Sequence, residues 1–320
     1  MAASTAIEPA LVERFKAALD RLNPDGGRIG LAVSGGPDSM AMLLLAHAAI
    51  PAGFEVATVD HGLRPDAKDE CALVVAACED RGVPCEVLTV TVGQGNIQAQ
   101  AREARYAALG DWTKRRSLTA FATAHHADDQ AETVIMRLNR GAGVAGLAGI
   151  TEKLAMVSPV DALVIRPMLG FTRAELRRLV ESSGIRFASD PSNENGEFER
   201  VRVRRSLSEA GWLDPQMVRR SAENLRDADE AVWWASELVW DERVRQDGDA
   251  LRFHIAGPKA VRLRIIGFAM RHFGGWPEGG EVARLLQRLE RGESGNLAGV
   301  HVTVEDGYWV FRPEPPRRTG

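Results

Sequence analysis

The sequence predicts an α/β protein: a doubly wound, mostly parallel sheet in the first two thirds of the chain, joined by a long helix to a second, smaller α/β unit. Three observations predict it. Continuous apolar runs bounded by turn residues recur at GLAV (30–33), FEVATV (54–59), CEVLTV (85–90) and LTAFATA (118–124), as strands covered on both faces do. Helical patterns separate these runs, which is the alternation of a sheet wound through crossover helices. Beyond residue 212 the order changes to a long helical stretch and then strand, helix, helix and hairpin, so the expected domains are 1–212 and 213–320.

The separating helices read PDSMAMLLLAHAA (37–49), DAKDECALVVAACEDRG (66–82), IQAQAREARYAALGDWTKRR (97–116) and DDQAETVIMRLNRG (128–141). The second and last close on glycine, a usual helix stop. LAMVSPVDALVIRP (154–167) reads as two strands around a turn, and TRAELRRLVESSG (172–184) as a helix opened by the capping pair Thr172 and Glu175. SDPSNENGE (189–197) is a polar loop. The long helix is expected over 215–246, followed by a strand (249–256), two helices (258–274 and 279–292) and a hairpin over 300–313 turning at Asp306 and Gly307.

With 45% hydrophobic residues and a net charge of −4, the chain has an ordinary globular composition and no global field that would draw in nucleic acid. An RNA partner would have to be held by local clusters. Cys71, Cys78 and Cys85 stand seven apart, which suits neither a disulfide framework nor a CxxC pair, so reduced, packed thiols are expected. The longest apolar run, MAMLLLAHAA, is too short to span a bilayer, and the expected location is the cytoplasm.

The stretch RIGLAVSGGPDSM (28–40) carries the first chemistry. A turn after the first strand of a doubly wound sheet opens at the carboxyl edge, where ligands bind and where the next helix offers free N–H groups. Gly35 and Gly36 let backbone approach an anion, Ser34 and Ser39 supply hydroxyls, and Pro37 suits a first helical turn. This is a phosphate cradle, though neither GxxxxGK[ST] nor GxGxxG is present. Asp38 would repel a phosphate unless a cation lay between, so magnesium is implied with Asp38 as its protein ligand. The plain alternative is a strand-to-helix turn with Asp38 as a cap.

The strand-SGGxDS-helix string resembles the signature of the N-type ATP pyrophosphatases, the PP-loop superfamily with a Rossmann-like sheet. Four further strings narrow it: VDHGLRPDAKDE (59–70), GNIQAQAREARYAAL (95–109), TAHHADDQAETVIMRLNRGAGVAGLAG (123–149) and IRPMLGFTRAELRRLVESSGIRFASDPSN (165–193). Together they resemble the ordered motifs of the bacterial tRNA(Ile)-lysidine synthetases over about residues 28–205. The resemblance implies an ATP-dependent carbon–nitrogen ligase. It would adenylate the 2-carbonyl of the wobble cytidine in a CAU anticodon, and the ε-amine of free lysine would displace AMP. The implied cofactors are ATP and magnesium. The implied partners are tRNA(Ile) and L-lysine, with no membrane and with a second copy of the chain as a further candidate.

On that reading Ser34 to Ser39, with His61, Arg64 and Arg102, hold the nucleotide, and Asp38, His125, Asp129 and Glu132 are catalytic. Asp129 and Glu132, three apart at a helix start, would present two carboxylates to the lysine amine beside His125, which is favoured over His126 as the residue facing the site. Their alternative reading is a capping box in aspartate form. Arg137, Arg140 and the loop Gly141 to Gly149 are expected at the mouth of the site. Arg105 and the string FERVRVRRSL, with Arg200, Arg202, Arg204 and Arg205, are assigned to phosphates of the anticodon arm, against a solvated charged face as the alternative. Val201 stands where the family usually has asparagine. Trp212, Trp233, Trp234 and Trp240 are expected as core or domain-interface aromatics, and Arg262, Arg264, Arg271, Arg284, Arg288 and Arg291 as a tRNA docking face. The competing functions are a tRNA thiolase of the same superfamily and a non-catalytic ATP- or RNA-binding module.

Overall fold

The computed structural model describes residues 7–62, 67–91, 97–156, 160–188 and 199–314. Arg64 and the polar loop 189–197 lie outside the described residues. The chain forms two compact units, Met1–Asn224 and Leu225–Gly320. The seam falls inside the long helix, whereas the change in element order places the expected boundary at 212/213, before that helix begins.

In the first unit, α1 (Pro9–Leu22) precedes β1 (Ile29–Ala32), α2 (Pro37–Ala49), β2 (Phe54–Asp60), α3 (Ala67–Glu79), β3 (Cys85–Thr89), α4 (Ile97–Arg115) and β4 (Phe121–Ala122). Then come α5 (Ala127–Asn139), α6 (Val144–Leu147), β5 (Lys153–Ala155), β6 (Leu163–Ile165), α7 (Arg173–Ser183), α8 (Glu199–Ala210) and the start of α9 (Pro215–Arg243). The sheet order is β3-β2-β1-β4-β6-β5, parallel except for β5 at one edge. The expected strand 118–124 shrinks to two paired residues, although its backbone stays extended: Ala120 O accepts from Gly30 N and Thr123 N donates to Ile165 O.

Helices cover both faces. Residues 39–46 of α2 are buried without a break, as befits a helix apolar all round, and α2 packs between α1 and α7. Leu31, Val56, Ala122 and Ile165 share this face in one core cluster. On the other face α4 lays Tyr106, Leu109 and Trp112 over Phe121 and Val164. Helix α7 opens as expected, with Thr172 N–H donating to Glu175 Oε2 at 2.7 Å, and closes on Gly184 at φ 69°.

The second unit continues α9 and adds β7 (Val244–Asp247), β8 (Ala250–His254), α10 (Lys259–His272), α11 (Gly279–Glu290), β9 (Gly295–Leu297), β10 (Val300–Glu305) and β11 (Tyr308–Pro313). Its antiparallel sheet runs β7-β8-β11-β10-β9. The long helix stops at Arg243 rather than Gln246 because Val244 pairs with Phe253 in the sheet. Of the four tryptophans expected as core or interface aromatics, Trp240 packs against this unit's core and Trp233 meets Phe268 edge-on. Trp233 is nonetheless exposed, as are Trp212 and Trp234. Several expected docking arginines are paired locally: Arg264 with Asp229, Arg262 with Glu290 and Arg291 with Glu293. Among the described residues no helix is long and apolar enough to cross a membrane.

Candidate active site

Strand order locates the site before any side chain is considered. From β1 the chain winds outward through β2 and β3, then returns to place β4 on β1's other side. The crevice at the carboxyl ends of β1 and β4 is therefore the topological switch point, where open α/β sheets bind ligands.

The loop leaving β1 is the expected cradle. Gly35 has φ +83°, and a Cβ there would lie 3.1 Å from the Glu70 carbonyl, so the turn needs glycine. Gly36 is different: its φ of −71° suits any residue, and an added Cβ would come only within 3.7 Å of Ser34 Oγ. Among the described residues nothing requires glycine there. Helix α2 starts at Pro37 with no side-chain cap, which leaves its leading N–H groups directed at the crevice. Ser39 is buried and braces the turn, accepting from Ser34 N–H at 3.1 Å and donating to Gly36 O at 2.9 Å. Asp38 is one-third exposed. His61 follows the end of β2 directly and is half-buried.

The loop leaving β4 carries the histidines, and strand alternation separates them. Phe121 faces α4 while Ala122 faces α2, so alternation sends Thr123 and His125 to the α4 side and His126 to the α2 side. His125 Nδ1 meets Thr123 Oγ1 at 2.8 Å. His126 is 1% exposed, with Nε2 3.4 Å from Asp38 Oδ2 and 3.5 Å from Asp129 Oδ2, and Nδ1 3.5 Å from Asp128 Oδ2. The histidine that meets the cradle is thus His126, while His125 lies on the α4 side beside Thr123.

Their environments drive the two imidazoles apart. Burial pushes the His126 pKa down, but Asp129, Asp128 and Asp38 more than offset this and hold it at about 9. Burial pushes His125 down to about 3, with Asp129 opposing and Arg166, Arg102 and Arg200 reinforcing the fall. One ring is a cation among acids and the other a neutral donor–acceptor.

Asp129 and Glu132 stand on α5 as expected, but their partners differ. Asp129 sits at the third position of the helix and accepts from His126 N–H at 3.1 Å. It therefore caps α5, whereas Glu132 takes no part in the cap. Glu132 is 1% exposed and accepts from Arg173 Nη2 at 2.8 Å, Arg200 Nε at 2.7 Å and Arg204 Nε at 2.8 Å. Burial alone would raise its pKa, and Arg204, Arg173 and Arg200 outweigh that and hold it low. Both its oxygens are engaged, so it holds arginines here rather than standing open to an amine. Asp129 Oδ1 takes Arg200 Nη2 at 2.8 Å.

The same contacts divide the arginine string. Four residues apart on α8, Arg200 and Arg204 turn inward to the acids, and Arg202 and Arg205 lie on the exposed face. The inward pair is therefore unavailable to RNA in this arrangement. At the mouth, Arg137 Nη1 donates to Gly146 O at 2.8 Å and Gly149 O at 3.1 Å, and Arg140 pairs with Glu199. The glycine loop is thus tied to α5. Arg102 and Arg105 flank Tyr106, with guanidinium carbons 4.8 and 5.6 Å from its ring centroid. One residue absent from the sequence reading joins these acids, Arg173 through Glu132, and Arg166 lies close enough to act on His125. Arg173 offered one signal, since it directly follows the helix cap Thr172 and its N–H reaches Asp128 Oδ2 at 2.8 Å.

The glycine turn at β1, the acids one strand away and the β3-β2-β1-β4 order are the arrangement of a PP-loop domain, and the PP-loop domain family matches residues 8–210. A tRNA(Ile)-lysidine synthase of Novosphingobium aromaticivorans is 42% identical over 309 residues, covering 96% of this chain and 94% of that one. One from Zymomonas mobilis is 38% identical, covering 92% and 91%. The chain belongs to the tRNA(Ile)-lysidine synthase family. Among solved structures, the U34-tRNA thiolase NcsA of Methanococcus maripaludis superposes with a TM-score of 0.55 over 68% of this chain and 80% of that one, at 19% identity, a likeness of fold.

Proposed function

We propose that this chain makes lysidine: ATP adenylates the 2-carbonyl oxygen of the wobble cytidine in the CAU anticodon of tRNA(Ile), and the ε-amine of free lysine then displaces AMP. The observation that carries the reading is the meeting, at one switch point, of the uncapped α2 cradle with Asp38, His126 and Asp129.

Ser34, Gly35, Gly36 and Pro37 cradle the pyrophosphate, with the first N–H groups of α2 as donors. Magnesium fits this site as an ion carried in by ATP. Among the described residues no three His, Cys, Asp or Glu side chains are arranged to hold a metal, and magnesium characteristically takes one or two carboxylates plus substrate phosphates. Asp38 would hold it, and its chemistry would be to offset charge on the phosphates. Cationic His126 lies within 3.4–3.5 Å of both Asp38 and Asp129, and against the opposing effect of burial it helps hold the Asp129 carboxyl below its ordinary range. Asp129, whose Oδ1 holds Arg200 and whose Oδ2 caps α5, supplies the negative charge that draws the incoming amine, with neutral His125 beside it; the amine attacks only after losing its proton. Glu132 keeps Arg200 and Arg204 in place, and Arg202, Arg205 and Arg105 serve the anticodon arm.

The thiolase alternative needs sulfur-handling cysteines at the site. Cys71 and Cys78 are buried in α3, and Cys85 opens β3. Incubation with ATP, magnesium, labelled lysine and CAU-anticodon tRNA(Ile) is expected to place label on the RNA and release AMP. Unlabelled RNA from folded, ATP-binding protein overturns the proposal.

A further inference from the structure

Arg166 is a buried cation that no carboxylate among the described residues neutralises. It follows β6 directly and is 4% exposed. Its Nη1 donates to the Thr151 carbonyl at 2.5 Å and lies 3.4 Å from Thr151 Oγ1, while its Nε has no acceptor. Among the described residues no carboxylate pairs with it. Burial lowers its pKa; the Tyr106 phenol, hydrogen-bonded to it, opposes the fall only in part, and a second cation, Arg102, adds to it. Three partly exposed cations of this unit contrast with it: Arg173, Arg200 and Arg204 all rest on Glu132. A guanidinium taken out of water beside another cation is unfavourable unless an anion arrives.

Position says which anion. Arg166 leaves β6, β6 pairs with β4, and β4 pairs with β1. Arg166 therefore stands two strand spacings, about 10 Å, from the cradle, with His125 between, in the field of both Arg166 and Asp129. An extended lysine with a hydrogen bond at its carboxylate end covers that span. A phosphodiester is the poorer fit, because it continues into sugars on both sides and needs an open groove. A terminal carboxylate can be enclosed, and it matches the planar fork of a guanidinium.

We propose that Arg166, flanked by Arg102, binds the α-carboxylate of the substrate lysine and so directs its ε-amine along the β4 exit toward Asp129 and the cradle. This rests on the lysidine reading and adds to it the orientation of the amino acid. Specificity follows: the site selects an α-amino acid, not merely a primary amine.

The test uses the full chain with CAU-anticodon tRNA(Ile), ATP and either L-lysine or cadaverine, the same diamine without the carboxylate. Adenylation is read by pyrophosphate exchange in the same preparations. Wild type is expected to use lysine at least tenfold better than cadaverine in kcat/KM. Arg166→Met is expected to lower lysine kcat/KM by about 10- to 100-fold, as loss of a charge-assisted pair does, and to bring the lysine-to-cadaverine ratio toward one, with Arg166→Lys in between. Equal use of the two amines by wild type overturns the proposal, a result that needs no variant to fold. So does a ratio unchanged in Arg166→Met or Arg166→Lys, the mark of a structural role, or a rise in KM for tRNA alone, the mark of a phosphate contact. Adenylation and lysine transfer with no carboxylate effect remove this inference and leave the lysidine reading standing; absence of adenylation in wild type removes both.

Discussion

Replacing Glu132 by alanine tests what holds α8 to the domain. That helix has no buried residue of its own, so apolar burial does not fix it. Its attachment rests on Arg200 and Arg204 gripping Glu132, on Arg200 gripping Asp129, and on the Arg140–Glu199 pair. Removing Glu132 deletes three charge-assisted bonds of 2.7 to 2.8 Å. Each is worth about 1.5–3 kcal/mol at most, and they are not additive. The three arginine side chains are 31–41% exposed, so water recovers part of the loss. Breaking a fully buried pair costs about 3–5 kcal/mol; discounted for that exposure, the expected destabilisation is about 3 kcal/mol. For a domain of this size that lowers the melting temperature by roughly 6–12 °C. Urea unfolding measures it, and amide hydrogen exchange should show residues 202–208 losing protection first. Adding Arg204→Ala to Glu132→Ala should cost less than Arg204→Ala alone, because its partner is already gone. A loss below about 1 kcal/mol, with α8 amides still protected, refutes the reasoning.

The two cradle glycines should separate folding from binding. Gly36→Ala is expected to leave the melting temperature within about a degree, since its Cβ makes only an ordinary contact with Ser34 Oγ, yet to weaken ATP binding by about tenfold; calorimetry showing unchanged affinity contradicts the cradle. Gly35→Ala must place alanine at φ +83° against a carbonyl, at a cost of about 1–2 kcal/mol, so here stability should fall as well. Glu55 is 3% exposed and bound by Arg116 at 2.7 and 2.9 Å and by Arg28 at 2.8 Å. The Arg116 bonds hold its pKa low against the opposing effect of burial. A depressed carboxylate contributes stability above its unfolded pKa of about 4.3 and loses it as pH falls through the lower folded value. Wild type should therefore lose more stability than Glu55→Gln between about pH 5 and 3; parallel pH profiles rule out this role for the pair.

The cradle was legible in the sequence because everything that defines it is local. Ser34 to Ser39 are contiguous, the positive φ of Gly35 and the helix start at Pro37 are short-range demands, and apolar runs of strand length announced the sheet. The Thr172–Glu175 cap was readable for the same reason. The partners of the acids were not. Helical period shows that Arg200 and Arg204 share a face, but only the docking of α8 on α5 turns that face toward Glu132 rather than toward solvent. Alternation along β4 shows that His125 and His126 diverge, but only the placement of α2 and α4 on opposite faces of the sheet decides which one meets Asp38. Arg166 reads as an ordinary residue before a proline until β6 carries it beneath α4, with no acid beside it. Sequence fixes the period of an element, whereas burial and charge pairing depend on which distant element lies against it, and those long-range contacts set the protonation state and the occupant of each position in the site.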